Sequence, residues 1–340
     1  MNLKFLAAAF PAVLLLTGCA LSNGNAVPQA SHSALSRTAL LPDKRGKISI
    51  FDDTFGDAVP YGITSGPDGA IWFTDPGNDV IGRITTDGNY TLQQPTGVEI
   101  STGITVGPDN NLWFTVEQND AMIGRITPTG TVTLFKDTGG SYPQGITTGP
   151  DGALWFGESN GTVGRMTTKG KVKHFTLGGV YTEYAGIVTG PDKNLWVTEY
   201  LNGSHASARV IRLSPGGKSR AFHVGSAPNQ ICVGPDGALW FAEGSAIGRL
   251  TTAGKYTEFP ISVKYADAGG IATGPDGALW FTDFGEHFGI GRMTTKGKMQ
   301  FFTPPASELG EFAEITAGPD GAMWFTSVLG PEAVGRITVH

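Results

Sequence analysis

Gly66-Pro67-Asp68-Gly69-Ala70-Ile71-Trp72 reads as a tight turn, with proline where φ near −65° is wanted, running into an apolar strand. Close copies occupy residues 107–113, 149–155, 190–196, 234–240, 274–280 and 318–324. Each copy ends in one of the seven tryptophans, Trp72, Trp113, Trp155, Trp196, Trp240, Trp280 and Trp324, at spacings of 41, 42, 41, 44, 40 and 44 residues. A second marker keeps step with the first: Ile81-Gly82-Arg83, Ile123-Gly124-Arg125, Val163-Gly164-Arg165, Val210-Ile211-Arg212, Ile247-Gly248-Arg249, Ile290-Gly291-Arg292 and Val334-Gly335-Arg336.

Each unit divides into four short strands. In the first, Gly62-Ile63-Thr64 is the inner strand, Ile71 to Thr74 the second, Val80 to Thr85 the third, and Tyr90 to Leu92 the outer one, after an Asp87-Gly88 hairpin turn. Four strands in about 40–45 residues is the period of a propeller blade. The sequence therefore predicts an all-β, seven-bladed β-propeller over residues 46–340. The last unit stops after its third strand, and Lys47-Ile48-Ser49-Ile50-Phe51 resembles the outer strands at Lys171 to Phe175 and Lys298 to Phe302. The N-terminal strand is thus expected to close the last blade and protect its edge.

Composition agrees. Glycine supplies 50 of 340 residues, which argues against helices, since an interior glycine costs about 1 kcal/mol relative to alanine. With 40% hydrophobic and 16% charged residues the chain can bury a core, which excludes disorder for most of its length, and the absence of a Gly-X-Y period excludes collagen.

Residues 1–19 read as a lipoprotein-type signal peptide. Lys4 precedes the short apolar run Phe5 to Leu16, and Leu16-Thr17-Gly18-Cys19 resembles a bacterial lipobox, with Cys19 as the lipidation site. Ala20 rather than aspartate follows the cysteine, which in a Gram-negative cell favours the outer membrane. Residues 20–45, rich in Ser, Ala and Asn, read as a flexible tether. The expected location is exported and lipid-anchored at the cell envelope, outer membrane or periplasm in a Gram-negative cell, with membrane contact only through the anchor. A net charge of −6 argues against nucleic acid as a partner, and a monomer is expected. With Cys19 lipidated, Cys232 has no disulfide partner.

Residues copied in every unit are read as scaffold. The seven turn aspartates shape their own turns, and the seven arginines are expected to pair with neighbouring blades. Asp75, Glu158, Glu199, Glu243 and Asp283, each three residues after a tryptophan, admit two readings: strand-end hydrogen bonding, or oxygen ligands for a divalent cation near a central channel. His174 and His223 fall in outer strands, away from any expected chemistry.

Function is expected where the copies differ. Outer-to-inner and second-to-third connections emerge on one face and are the more varied ones. There the position two before each inner-strand isoleucine holds Tyr61, Thr102, Gln144, Ala185, Asn229, Gly269 or Ala313, and nearby loops add Asn78, Glu117, Asn160, Tyr200, His205, Glu286 and His287. Tyr61, Gln144, Tyr200, Asn229 and Glu117 are the expected ligand-binding residues, suited to a polar small molecule, a small cyclic peptide or a protein ligand.

The units Tyr61-Gly62-Ile63-Thr64, Gly-Pro-Asp-Gly-Ala-Leu-Trp-Phe-Thr and Ile-Gly-Arg-Ile-Thr resemble those of the virginiamycin B (streptogramin B) lyases over residues 47–340. That resemblance implies an antibiotic-resistance lyase that opens a cyclic depsipeptide by elimination: a base removes the proton α to a carbonyl, the ester carboxylate leaves, and Mg²⁺ assists. The family's catalytic histidine sits in a Pro-His-Gly-Ile run of the last blade, matched here by Phe312-Ala313-Glu314-Ile315. A family glutamate two residues earlier matches Glu311, the glutamate four after the last tryptophan falls on Val328, and the first-blade tyrosine matches Tyr61. No blade carries histidine at the position of Ala313, so a rotation of blades does not restore the pair.

Three readings follow: a family member that binds a ligand without the standard catalytic pair; an active, Mg²⁺-assisted carbon–oxygen lyase with Glu311, Glu314 or His287 as substitute base; and a metal-dependent lactonase-like propeller enzyme.

Overall fold

The computed structural model describes residues 31–33, 36–38, 46–52, 58–95, 97–117, 121–137, 139–177, 182–201, 204–285, 289–304, 310–329 and 332–339. Among these there is no helix, and the strands form seven antiparallel sheets. The leader and Cys19 lie outside the described residues, as do most of residues 20–45, although Ser31–Ser33 and Ser36–Thr38 are short strands.

Blade 1 contains Ile63–Ser65, Ile71–Asp75, Val80–Ile84 and Asn89–Gln93, in that order from the axis outward. The same order recurs in blades 2 to 6, whose inner strands are Ile100–Val106, Pro143–Thr148, Thr182–Thr189, Ile231–Val233 and Ala268–Thr273. Blade 7 is built from both ends of the domain. Glu311–Ala317, Met323–Leu329 and Ala333–Ile337 are completed by Ile48–Asp52, in register from Ile48 opposite Ile337 to Asp52 opposite Ala333. Consecutive inner strands touch around the ring, and that of blade 7 touches that of blade 1, so the circle is closed. Ser31–Ser33 adds a fifth strand outside blade 1 and Ser36–Thr38 outside blade 7, covering two outer edges.

The repeated residues explain the blade. All seven tryptophans are fully buried. In blades 2 to 6 the ring stacks on an outer-strand phenylalanine at centroid distances of 5.2–5.5 Å, and in blade 7 Trp324 stacks on Phe51 of the N-terminal strand at 5.3 Å. Each indole N–H donates to the turn aspartate four residues earlier, at 2.9–3.0 Å. The other oxygen of that aspartate takes the arginine of the same blade at 2.6–2.7 Å, as in Arg83–Asp68 and Arg336–Asp320. The arginines therefore pair within their own blade and not with neighbours, because the third strand crosses directly beside its own turn. Arg125 is the loose one, 3.9 Å from Asp109. Burial alone would raise Asp68, but the Trp72 N–H and the Arg83 guanidinium outweigh it and hold the carboxyl below its ordinary value.

Close packing fixes two glycine positions. A Cβ on Gly66 would come within 2.3 Å of the Trp72 ring, and one on Gly82 within 2.0 Å of Phe73. The core lies between blades: Ala70, Trp72 and Ile81 of blade 1 share a cluster with Ile104, Leu112 and Phe114 of blade 2. Hydroxyls near the axis tie the blades together, with Thr74 donating to the Thr102 carbonyl at 3.1 Å and Thr326 to that of Tyr61 at 2.6 Å.

Candidate functional site

The inner strands of blades 2, 3, 4, 6 and 7 break register just before their isoleucine, as between Phe312 and Ile315. Such bulges re-aim side chains. At the residue immediately before that isoleucine five blades carry glycine, because a Cβ there would strike the next blade: 1.9 Å from the Thr102 carbonyl oxygen at Gly62, 2.1 Å from that of Gln144 at Gly103. The two exceptions are Gln230 in blade 5 and Glu314 in blade 7.

These two side chains meet. Gln230 Nε2 donates to Glu314 Oε1 at 2.5 Å, and the Ile63 backbone N–H of blade 1 reaches Glu314 Oε2 at 3.4 Å. Three blades are thus joined through one carboxyl on the channel side of the inner strands. Burial pushes Glu314 up to about 8, partly offset by the Ile63 N–H and the Gln230 amide. Tyr61 lies near enough to feel it: burial first, then the Glu314 charge, raises the Tyr61 hydroxyl above its ordinary value.

Of the other expected ligand-binding residues, Gln144 and Asn229 are half-buried at the equivalent positions of blades 3 and 5, and Glu117 is exposed at the end of the second strand of blade 2. The partial desolvation of its carboxyl, and then neighbouring Glu99, raise Glu117 above its ordinary value. Among the expected substitute bases, Glu314 is in the bridge just described and Glu311 is half-buried at the start of its strand, opposite Leu329. His287 and the side chain of Tyr200 lie outside the described residues. Ala313 is 1% exposed, and its carbonyl accepts the Thr282 hydroxyl at 2.9 Å.

Two aromatics of this face escaped the sequence reading. Tyr142 and Tyr265 stand in outer-to-inner connections, 47% and 57% exposed, with φ of 44° and 60°. A bulky residue held at positive φ and largely in water is strained, a combination found at ligand-binding sites, and the Lys264 ammonium over the Tyr265 ring at 4.2 Å is a local contact that does not bury it. Both immediately follow polar, non-repeated residues, Ser141 and Lys264, but φ cannot be read from sequence.

The acids three after tryptophan do not converge on the channel. Asp75 accepts the Val59 N–H at 2.8 Å, Glu158 that of Ser141 at 3.2 Å and Asp283 that of Asp267 at 2.8 Å. Glu199 pairs with Arg209, and Glu243 accepts the Tyr256 hydroxyl at 2.7 Å. Asp75, Glu158 and Asp283 anchor the chain entering their blades, and Glu199 and Glu243 are held by partners within their own blades, which is the strand-end role. Among the described residues the single group with metal-ligating geometry is Asp137, Glu158 and His174, between blades 2 and 3 and away from the channel. The two carboxylates, Asp137 first, push the His174 imidazole up to about 10, and burial raises Glu158.

The Mg²⁺ that the resemblance implies finds few donors at the mouth. Val328 and Ala313 offer no side-chain oxygen, and both oxygens of Glu314 already accept hydrogen bonds. Glu311 alone remains of the matched carboxylates, so these residues do not fit such an ion.

The sequence pattern of the virginiamycin B lyase family matches residues 36–204 and 180–340. Among solved structures, a streptogramin B lyase is 29% identical with a TM-score of 0.78, covering 87% of this chain and 98% of that one. A selenomethionine-substituted virginiamycin B lyase from Staphylococcus aureus is 31% identical with a TM-score of 0.77, covering 87% of this chain and 100% of that one. A catalytically inactive form of the Staphylococcus aureus lyase, in which alanine replaces a histidine, was solved with quinupristin and is 32% identical over the same shares, with a TM-score of 0.77. Among curated proteins no sequence matches significantly.

Proposed function

The chain belongs to the virginiamycin B lyase family, and we propose that it is a member that captures a cyclic depsipeptide or similar polar ligand at the channel mouth without opening it by the family's histidine route. One observation carries this reading: buried Ala313 stands where the resemblance places the catalytic histidine, in a family whose histidine-to-alanine form is inactive yet was solved with quinupristin. The exposed Tyr142 and Tyr265 and the polar Tyr61, Gln144 and Asn229 support recognition of a ligand with aromatic and amide groups. The leader and Cys19 support action outside the cytoplasm, on a lipid anchor at the cell envelope.

The test is titration with quinupristin, followed by chromatography and mass spectrometry after long incubation with Mg²⁺. Saturable binding with the ligand recovered intact is the expected result. Ring opening by elimination leaves the mass unchanged but shifts retention and absorbance, whereas hydrolysis adds one water. A protein-dependent linear product would overturn the reading.

A second reading rests on Glu314. A carboxyl raised to about 8 in a channel is tuned to accept a carbon-bound proton near neutral pH. In that case turnover would appear, rise with pH toward about 8, and vanish in Glu314→Gln. The lactonase-like reading finds no support in the five acids, which are spent on separate anchors.

A further inference from the structure

Two departures from the repeat meet across the seam of blades 2 and 3. Two residues after the outer-strand position that faces the third-strand isoleucine or valine, five blades carry Pro95, Leu177, Val224, Ile261 and Pro304, whereas blade 2 carries Asp137 and blade 7 Asp53. One residue before that position stands His174 of blade 3, opposite Gly164. Glu158 ends the second strand of the same blade and accepts the Ser141 N–H.

The three ligand-type atoms lie within 4.8 Å of one another. His174 Nε2 is 2.8 Å from Asp137 Oδ1 and 3.6 Å from Glu158 Oε1. Metal bonds of about 2.0–2.2 Å put neighbouring ligand atoms about 3.3 Å apart in a tetrahedron, so small adjustments suffice. Asp137 is 4% exposed, yet neither of its oxygens has a hydrogen-bond partner, and neither has His174 Nε2. The His174 contact offsets the charge at Oδ1 without the geometry of a proper imidazole–carboxylate hydrogen bond, and the buried Oδ2 has no such contact and bears an uncompensated desolvation cost. Glu158, by contrast, is oriented by the Ser141 N–H and the Thr162 hydroxyl, as outer-shell donors orient a metal ligand. Gly140 permits the arrangement, since a Cβ there would fall 2.0 Å from Asp137 Oδ2 and 2.2 Å from Glu158 Oε1.

We propose that Asp137, Glu158 and His174 bind one zinc-class divalent cation that staples the connection between blades 2 and 3. Two carboxylate oxygens and one imidazole nitrogen suit Zn²⁺ or Co²⁺ over Mg²⁺ and Ca²⁺, which prefer all-oxygen shells. Three protein ligands leave a fourth position for water. The ion fixes the short segment that carries Tyr142 and leads to Gln144, and it is unrelated to the channel carboxyl of Glu314.

The test uses the full chain freed of metal by chelation and dialysis. Titrating Zn²⁺ is expected to give one equivalent bound and to raise Tm by about 5 °C at a hundredfold excess over Kd, with no rise for Mg²⁺ or Ca²⁺. Co²⁺ is expected to give the visible absorption of a tetrahedral N/O site. Asp137→Asn and His174→Gln should each abolish both signals, while Glu258→Gln, at the strand position of blade 5 equivalent to His174, should not. If Asp137→Asn does not fold, His174→Gln carries the test, because that ring is partly exposed on an outer strand. Absence of Zn²⁺ uptake, uptake that survives both substitutions, or a preference for Mg²⁺ or Ca²⁺ would overturn the proposal and leave the cluster as a histidine–carboxylate ion pair.

Discussion

Glu314 makes the folded ring sensitive to pH in a direction opposite to that of most carboxylates. Folding raises its carboxyl from 4.5 to about 8, so between these values the folded state holds a proton that the unfolded chain has released. The contribution is fully present below pH 4.5 and is lost as pH rises through about 8. At 1.36 kcal/mol per pH unit the complete effect is at most about 5 kcal/mol. The side chain keeps partial contact with water, and screening reduces the expected value to about 2 kcal/mol. Glu314→Gln keeps a neutral partner for Gln230 and removes the titration. Differential scanning calorimetry of both proteins at pH 5, 6, 7, 8 and 9 isolates the term, because every other group titrates in both and cancels in the difference. The wild type should lose about 5 °C of Tm relative to the variant between pH 5 and 9. A difference in Tm that stays constant over this range would refute the claim that Glu314 is neutral in the folded channel at low pH.

Three further outcomes are expected. Phe51→Ala should destabilise the ring by about 3 kcal/mol, measured by guanidinium unfolding, because it empties the place stacked on Trp324 where the two chain ends meet. Asp68→Ala should cost about 2 kcal/mol by leaving the Trp72 indole N–H unpaired and Arg83 unopposed, and Asp109→Ala less, since Arg125 sits 3.9 Å from its carboxylate. Tyr265→Gly should raise Tm slightly by relieving the positive φ while weakening quinupristin binding at least about tenfold by calorimetry, a split that a purely structural residue would not give.

The blade was legible because its stabilising contacts are local and copied. The Trp72–Asp68 hydrogen bond spans four residues and Arg83–Asp68 fifteen, so turn, tryptophan and arginine recur together in the sequence, and the missing outer strand of the last unit pointed to Ile48–Asp52. The arginines pair within their own blade and not with neighbours, a direction that repeat spacing does not encode. The site was legible as a set of places, the non-repeated positions around the axis, but not as contacts.

The sequence by itself determined seven four-stranded blades, the strand that closes them and the absence of a histidine at 313, since each is a matter of residue identity at a fixed period. Only the tertiary structure decided that Gln230 and Glu314, 84 residues apart, share a hydrogen bond and that Asp137 reaches His174 across a blade seam. Both meetings depend on the closed ring, which sets distances between blades that no periodicity encodes, and on loss of solvent, which changes the chemistry of a carboxyl that in the unfolded chain is ordinary.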